Sequence, residues 1–321
     1  MRAVLHDAYG GPEVLRIDDV PRPTIGPDEV LVEVHASTVN RTDTGYRSAT
    51  PWIARAYSGW RRPTHRITGA EFAGVVVDIG GEVTRFATGD RVFGVNIETF
   101  GAHAEHMRMR AGGAIARIPD GVSFEAAAAV SDGVVLANNY VTKSALAPGR
   151  SLCVYGASGS IGTAAVQLAK ESGAHVTAIC TADTLDLLRR LGADDVIDHR
   201  AVDFTALGRR WDVIIDAVGK RSFRQCRRSL TPGGVYFHTE LGFLWTNPLL
   251  ALAIGWTPGR TAPFAVPHYR TADIELVARL MAEGRFQAVV DRTYPLDQIV
   301  DAHRFVETGT KVGNVVITVR D

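Results

Sequence analysis

The sequence predicts an α/β protein in two parts, a mainly β domain and a doubly wound parallel sheet domain, and three observations predict it. Short strand-like runs broken by Gly, Pro and Asp fill the first hundred residues. From Ser123 the pattern turns helical, and from Ser151 apolar strands alternate with helical stretches, the signature of a parallel sheet. At 321 residues the chain is long for one core and comfortable for two domains.

In chain order, strands are expected at Arg2–Leu5, Glu29–His35, Phe72–Ile79, after the Gly89-Asp90 turn and across Ala102–Met109. Helices follow at Phe124–Val130 and Gly133–Leu146, the second ended by Pro148-Gly149. The alternating part reads strand Ser151–Tyr155, helix Thr163–Ser172, strand His175–Cys180, helix Thr184–Leu191, strands Asp195–Asp198 and Trp211–Val218, helix Arg221–Leu230 and strand Val235–Thr239. Helices Ile274–Glu283 and Leu296–Glu307, with a short segment around Val289-Val290, lead to a last strand, Gly313–Val319, expected to rejoin the N-terminal β domain. No internal repeat or low-complexity segment interrupts this order.

The richest stretch is Tyr155 to Gly162, where a strand runs through a glycine turn into a helix. Glycines let the turn bend and let backbone approach a pyrophosphate, and the helix N-terminus offers free N–H groups and a positive dipole end. Gly159 and Gly162 fill the second and third places of G-x-G-x-x-G, while Ala157 takes the first, so the fingerprint is a variant. The next strand, His175–Cys180, completes a βαβ unit, and the alternative is an ordinary α/β turn.

Composition narrows the partners. Lys plus Arg equals Asp plus Glu at 35 each, which removes a global electrostatic argument for nucleic acid or an anionic membrane and points to a small-molecule substrate or further copies of the chain. The longest apolar region, Leu241 to Trp256, is broken by Asn247-Pro248 and is shorter than the roughly 20 residues of a bilayer span. It reads as a core or pocket helix, a dimer contact or a lining for an apolar substrate. No signal peptide pattern opens the chain, and Cys153, Cys180 and Cys226 read as buried thiols of a reducing compartment, hence a cytoplasmic location.

The residue ending the second strand of the parallel sheet usually separates NAD from NADP, because an acidic side chain there binds the ribose 2′-hydroxyl and repels a 2′-phosphate. That residue is Thr181, which favours NADPH over NADH. Asp183 blurs the choice if it turns toward the ribose, and Arg200, beside His199, is a candidate phosphate partner. His103 and His106 invite a metal reading, but three residues apart on a strand they face opposite ways.

Several motifs in register extend this picture: Pro27-Asp28-Glu29-Val30-Leu31-Val32, Val39-Asn40-Arg41-Thr42-Asp43, Gly69-Ala70-Glu71-Phe72-Ala73-Gly74, Gly89-Asp90-Arg91-Val92, Gly156 to Lys170, Leu191-Gly192-Ala193-Asp194, Asp216-Ala217-Val218-Gly219 and Leu230-Thr231-Pro232-Gly233-Gly234. In this order the chain resembles the medium-chain dehydrogenase/reductases, closest to their zinc-independent quinone oxidoreductase-like branch. The resemblance implies a GroES-like catalytic domain (1–119 and 268–321), a Rossmann domain inserted within it (120–267), a cleft between them as active site, and a homodimer.

It also implies roles. Asn40 and Ala70 fall where zinc-dependent relatives carry Cys and His ligands, and neither supplies a thiolate or imidazole; no C-x-x-C spacing marks a structural zinc lobe either. Metal-free hydride transfer to a quinone or an α,β-unsaturated carbonyl follows, with Asn40 as an amide donor or a turn residue bonding its own backbone, and Tyr46 as a donor or a rim aromatic. Asp43 is expected to be exposed, holding the loop or an arginine. Gly156, Ser158, Gly159, Ser160, Ile161 and Gly162 are expected at the pyrophosphate, Val218, Gly219, Leu241 and Gly242 beside the nicotinamide ribose, and Lys311 to Asn314 near the cofactor from the last strand. Leu136 stands where relatives often carry a threonine near the nicotinamide. The competing expectations are a zinc-free carbonyl or alcohol dehydrogenase and a non-enzymatic NADPH-binding structural or regulatory protein.

Overall fold

In the computed structural model, which describes residues 1–50, 55–239 and 268–320, the Val-rich run from Glu29 to Val39 forms the longest strand of the first of two units. That unit comprises Met1–Asp132 and Tyr269–Asp321; the second is Gly133–His268.

Along one edge, Glu29–Val39 pairs antiparallel with Glu71–Ile79; along the other it takes His106–Arg110 at its start and Asn314–Thr318 at its end. The sheet runs Val290–Pro295, Asn314–Thr318, Glu29–Val39, Glu71–Ile79, Arg91–Val95, Ile115–Arg117. The last strand therefore rejoins the N-terminal β unit, with Val316 opposite Thr38. Val30, Val32, Val34, Phe72, Val92 and Ile115 are wholly buried and form its core.

The second unit holds, among the described residues, a five-stranded parallel sheet in the order Asp195–Asp198, His175–Cys180, Ser151–Tyr155, Trp211–Asp216, Leu230–His238. The order reverses between Ser151–Tyr155 and Trp211–Asp216, the switch point outside whose carboxyl ends open α/β sheets bind ligands. All three cysteines are free and buried.

Several elements differ from expectation. The expected helix Arg221–Leu230 shrinks to Phe223–Cys226, started by a Ser222/Gln225 capping box and followed by a 3₁₀ turn, and Leu230 already belongs to the next strand. The strand near His103 starts only at His106, so the opposite-faces argument does not apply to that pair. A helix at Arg41–Ser48 and a strand at Arg16–Asp19 were not expected.

Candidate active site

In the second unit the expected cofactor residues gather at the carboxyl edge of the parallel sheet. Gly156 and Ala157 follow Tyr155, and both give their N–H groups to the Ile179 carbonyl at 3.0 Å, so the turn folds over the neighbouring strand. Gly156 adopts φ +77°, where a side chain would be strained. A Cβ on Gly162 would stand 2.4 Å from the Gly156 oxygen and 2.6 Å from the Ala157 Cα, so helix and turn close on one another only through a glycine. The helix Ser160–Glu171 starts at Gly159 with no capping side chain, leaving its first N–H groups to an outside acceptor. This cradle of bare backbone donors fits a dinucleotide pyrophosphate.

Across the switch point, Asp216 is buried and accepts the N–H groups of Val218 at 3.1 Å and Arg221 at 2.6 Å, which shapes the Val218-Gly219 turn. Burial pushes its carboxyl up, opposed by those N–H groups. Thr181 follows strand His175–Cys180, and His199 and Arg200, both exposed, follow Asp195–Asp198. The Thr181 hydroxyl beside exposed Asp183 holds that carboxyl below its ordinary range, with Arg200 adding to the effect. Leu136 lies half-buried on the helix Ser131–Lys143. Leu241 and Gly242, like all of the apolar Leu241–Trp256 run, lie outside the described residues.

The first unit brings Asn40 into a buried polar network that the sequence did not reveal. Asn40 caps the helix Arg41–Ser48: its Oδ1 accepts the Asp43 N–H at 3.0 Å, and Asp43 returns the bond to the Asn40 N–H. Its amide nitrogen donates to Glu71 Oε2 at 3.0 Å and to Asp132 Oδ2 at 3.2 Å. Glu71 also accepts the Thr38 hydroxyl and the Asp132 N–H, while Asp132 accepts the hydroxyls of Thr42 and Tyr269. Both Asn40 amide hydrogens are thus committed to carboxylates, so the expected offer to a substrate oxygen is already taken up. Asp43 is corrected too: it is fully buried, and its second oxygen accepts the Ala70 N–H at 3.1 Å.

Burial dominates the electrostatics here. It pushes Glu71 up to about 7, aided by Asp132, and Asp43 up to about 8 against its backbone donors; Asp132 rises for the same reason. Lys311 joins this cluster: burial pulls its ammonium down to about 8, opposed by Glu71 and Asp291, and it donates to the Gly313 carbonyl. Asn314 is buried and gives its amide to the Val289 carbonyl at 3.2 Å.

Tyr46, on the same helix as the Asn40 cap, is half-buried against Phe100, with ring centroids 4.4 Å apart. Its hydroxyl accepts the His65 N–H at 2.9 Å and retains its own proton, which burial makes harder to remove. His103 is buried, with its ring nitrogens 2.8 Å from the Thr68 hydroxyl and the Thr38 carbonyl, and burial pulls it down to about 4. It is a packed histidine, apart from the half-buried His106 beside Glu33.

Comparison with known proteins adds the family. Residues 26–142 match the alcohol dehydrogenase GroES-like domain and residues 191–317 the zinc-binding dehydrogenase family. The chain is 30% identical to the trans-enoyl reductase pgmF of Aspergillus terreus, across 92% of this chain and 87% of that protein. The chain belongs to the medium-chain dehydrogenase/reductase superfamily. A mitochondrial NAD(P)H oxidoreductase of Bos taurus is also 30% identical, over 99% of this chain and 89% of its own. The quinone oxidoreductase of Coxiella burnetii shares the fold at a TM-score of 0.89 and 24% identity, covering 100% of this chain and 99% of that one. This medium-chain protein is an oxidoreductase.

Glu71, Asp132 and Tyr269 are the members of the site that sequence reasoning missed. Glu71 stood inside a quoted motif, and Asp132 was a lone acid after the alanine-rich run Phe124–Val130, a signal that could have marked it as a buried, partnered carboxylate.

Proposed function

We propose that the protein transfers a hydride from NADPH to a quinone or an α,β-unsaturated carbonyl without zinc. The observation that carries this reading is the closed network around Asn40: its amide hydrogens occupy the facing oxygens of Glu71 and Asp132, where a metal would need free lone pairs. Without a Lewis acid, acceptors already activated by conjugation are the ones left easy to reduce. NADPH supplies the hydride when bound.

The chain's own part is to position and to protonate. Asn40 anchors the start of the helix that carries Tyr46, and the Tyr46 hydroxyl, protonated through the neutral range, is the donor to the developing enolate or oxyanion. Tyr46→Phe is expected to lower kcat by roughly 10²-fold with little change in cofactor affinity. Stopped-flow measurement with an enone and a quinone checks this, and an unchanged rate would remove Tyr46 from the chemistry.

For the cofactor, neutral Thr181 favours NADPH. Thr181→Asp is expected to weaken NADPH at least tenfold more than NADH in fluorescence titrations; equal effects would mean that the ribose lies elsewhere. A steady-state panel of a quinone, an enone, aldehydes and alcohols tests the acceptor, and turnover of simple alcohols alone would shift the reading to a zinc-free alcohol dehydrogenase. A homodimer in the cytoplasm completes the proposal, with sizing by light scattering as its check.

A further inference from the structure

A cavity of about 660 Å³ opens on the first unit, lined by Asp7, Ala8, Arg61, Arg62, Pro63 and Arg66. Three guanidiniums stand there against one carboxylate. That carboxylate is shared, because Asp7 pairs with Arg66 and also with Arg16, and the two arginines hold it below the usual range. Arg61 and Arg62 are exposed, and among the described residues neither has an acidic partner. Among the described residues that line it, the cavity therefore carries an excess of two positive charges.

The loop that presents them is built. The Tyr9 hydroxyl donates to the Gly59 carbonyl at 2.6 Å and lies 2.8 Å from the Ser58 hydroxyl. The Thr64 N–H closes onto the Ser58 carbonyl at 2.7 Å, the Tyr46 hydroxyl takes the His65 N–H, and the His6 N–H fastens the Arg66 carbonyl at 2.9 Å. Gly59 makes the bend at φ +114°. The planar guanidinium fork matches the oxygens of a phosphate bidentately, which a point charge cannot do. The volume lies within the roughly 300–1,000 Å³ of small-molecule sites, far more than a phosphate alone fills.

We infer that this cavity binds an organic phosphate, with the phosphate on Arg61, Arg62 and Arg66 and the organic part against Ala8 and Pro63. The residues that line it belong to the first unit and the glycine turn to the second, and the inference does not depend on the hydride-transfer reading.

The test is calorimetric titration of the full chain, saturated with reduced nicotinamide cofactor so that the glycine turn is filled, with phenyl phosphate, inorganic phosphate and benzoate at fixed ionic strength. Phenyl phosphate is expected to bind at least tenfold more tightly than the other two. The double variant Arg61→Ala/Arg62→Ala, whose side chains have no acidic partner among the described residues, is expected to lose that binding while keeping its melting temperature and turnover. Equal binding of inorganic phosphate would reduce the site to one for the free ion, and equal binding of benzoate would reduce it to charge alone. Binding that survives in the double variant would place it elsewhere, and co-sedimentation with phosphatidylglycerol vesicles would make the face a membrane surface; each of these overturns the inference.

Discussion

Gly162→Ala is expected to cost both stability and the cofactor, and Gly159→Ala the cofactor alone. At Gly162 the new methyl would meet backbone, the Gly156 oxygen at 2.4 Å and the Ala157 Cα at 2.6 Å, and backbone cannot rotate aside as a side chain can. Overpacking of this kind costs about 1–3 kcal/mol. The turn must open to relieve it, which carries the N–H groups of the Ser160–Glu171 helix away from the pyrophosphate. At Gly159 the nearest atom to an added Cβ is the Gly156 oxygen at 3.7 Å, and the backbone is ordinary at φ −78°, so the apo protein accepts alanine. The methyl then lies on the surface that backbone must present to the ligand. Thermal melts of both variants with and without NADPH separate the two effects. A Gly159→Ala protein that still gains the wild-type shift in melting temperature on adding NADPH would mean that the pyrophosphate does not rest on this turn.

These two glycines were legible from sequence because the strand, turn and helix they join are adjacent in the chain and announce themselves by apolar runs. Ser151–Tyr155, His175–Cys180 and Asp195–Asp198 fall where the pattern put them for the same reason. The helix Arg41–Ser48 was not legible: Arg-Thr-Asp-Thr-Gly-Tyr-Arg-Ser has no apolar stripe, and a capping box plus long-range contacts hold it. Asp43 was misread as exposed because a carboxylate in a polar stretch is normally solvated. Its burial depends on the Ala70 N–H, which only the fold brings near. The same holds for Glu71 and Asp132, which meet through the Asp132 N–H and through one amide group supplied from a third place in the chain. Local pattern finds the carboxyl edge of the parallel sheet; the polar network is a product of tertiary pairing.

That network makes Asn40 the position whose loss is expected to be most costly. Asn40→Leu removes the helix cap and strips a donor from two buried carboxylates at once. Leaving a buried acceptor without its donor costs about 1–3 kcal/mol, and two acceptors are affected here. Asn40→Ser isolates the cap, worth about 1 kcal/mol, because serine can still accept the Asp43 N–H but cannot reach both acids. The pH dependence identifies the carboxylates as the cause. Glu71 already has its folded value raised to about 7 from an ordinary 4.5, and Asp132 is raised too, so protonation favours the folded state: that contribution is complete below the unfolded value and disappears as pH rises through the folded one. Without the amide both values rise further, and the window moves to higher pH. The Asn40→Leu deficit, measured by urea unfolding against wild type, is therefore expected to be largest near pH 8 and to shrink by pH 5.5. His103, lowered to about 4, is neutral in both proteins at these pH values, so its own linkage cancels in the difference. A deficit that is the same at both pH values would show that the cap, and not the pair of buried acids, is what Asn40 sustains.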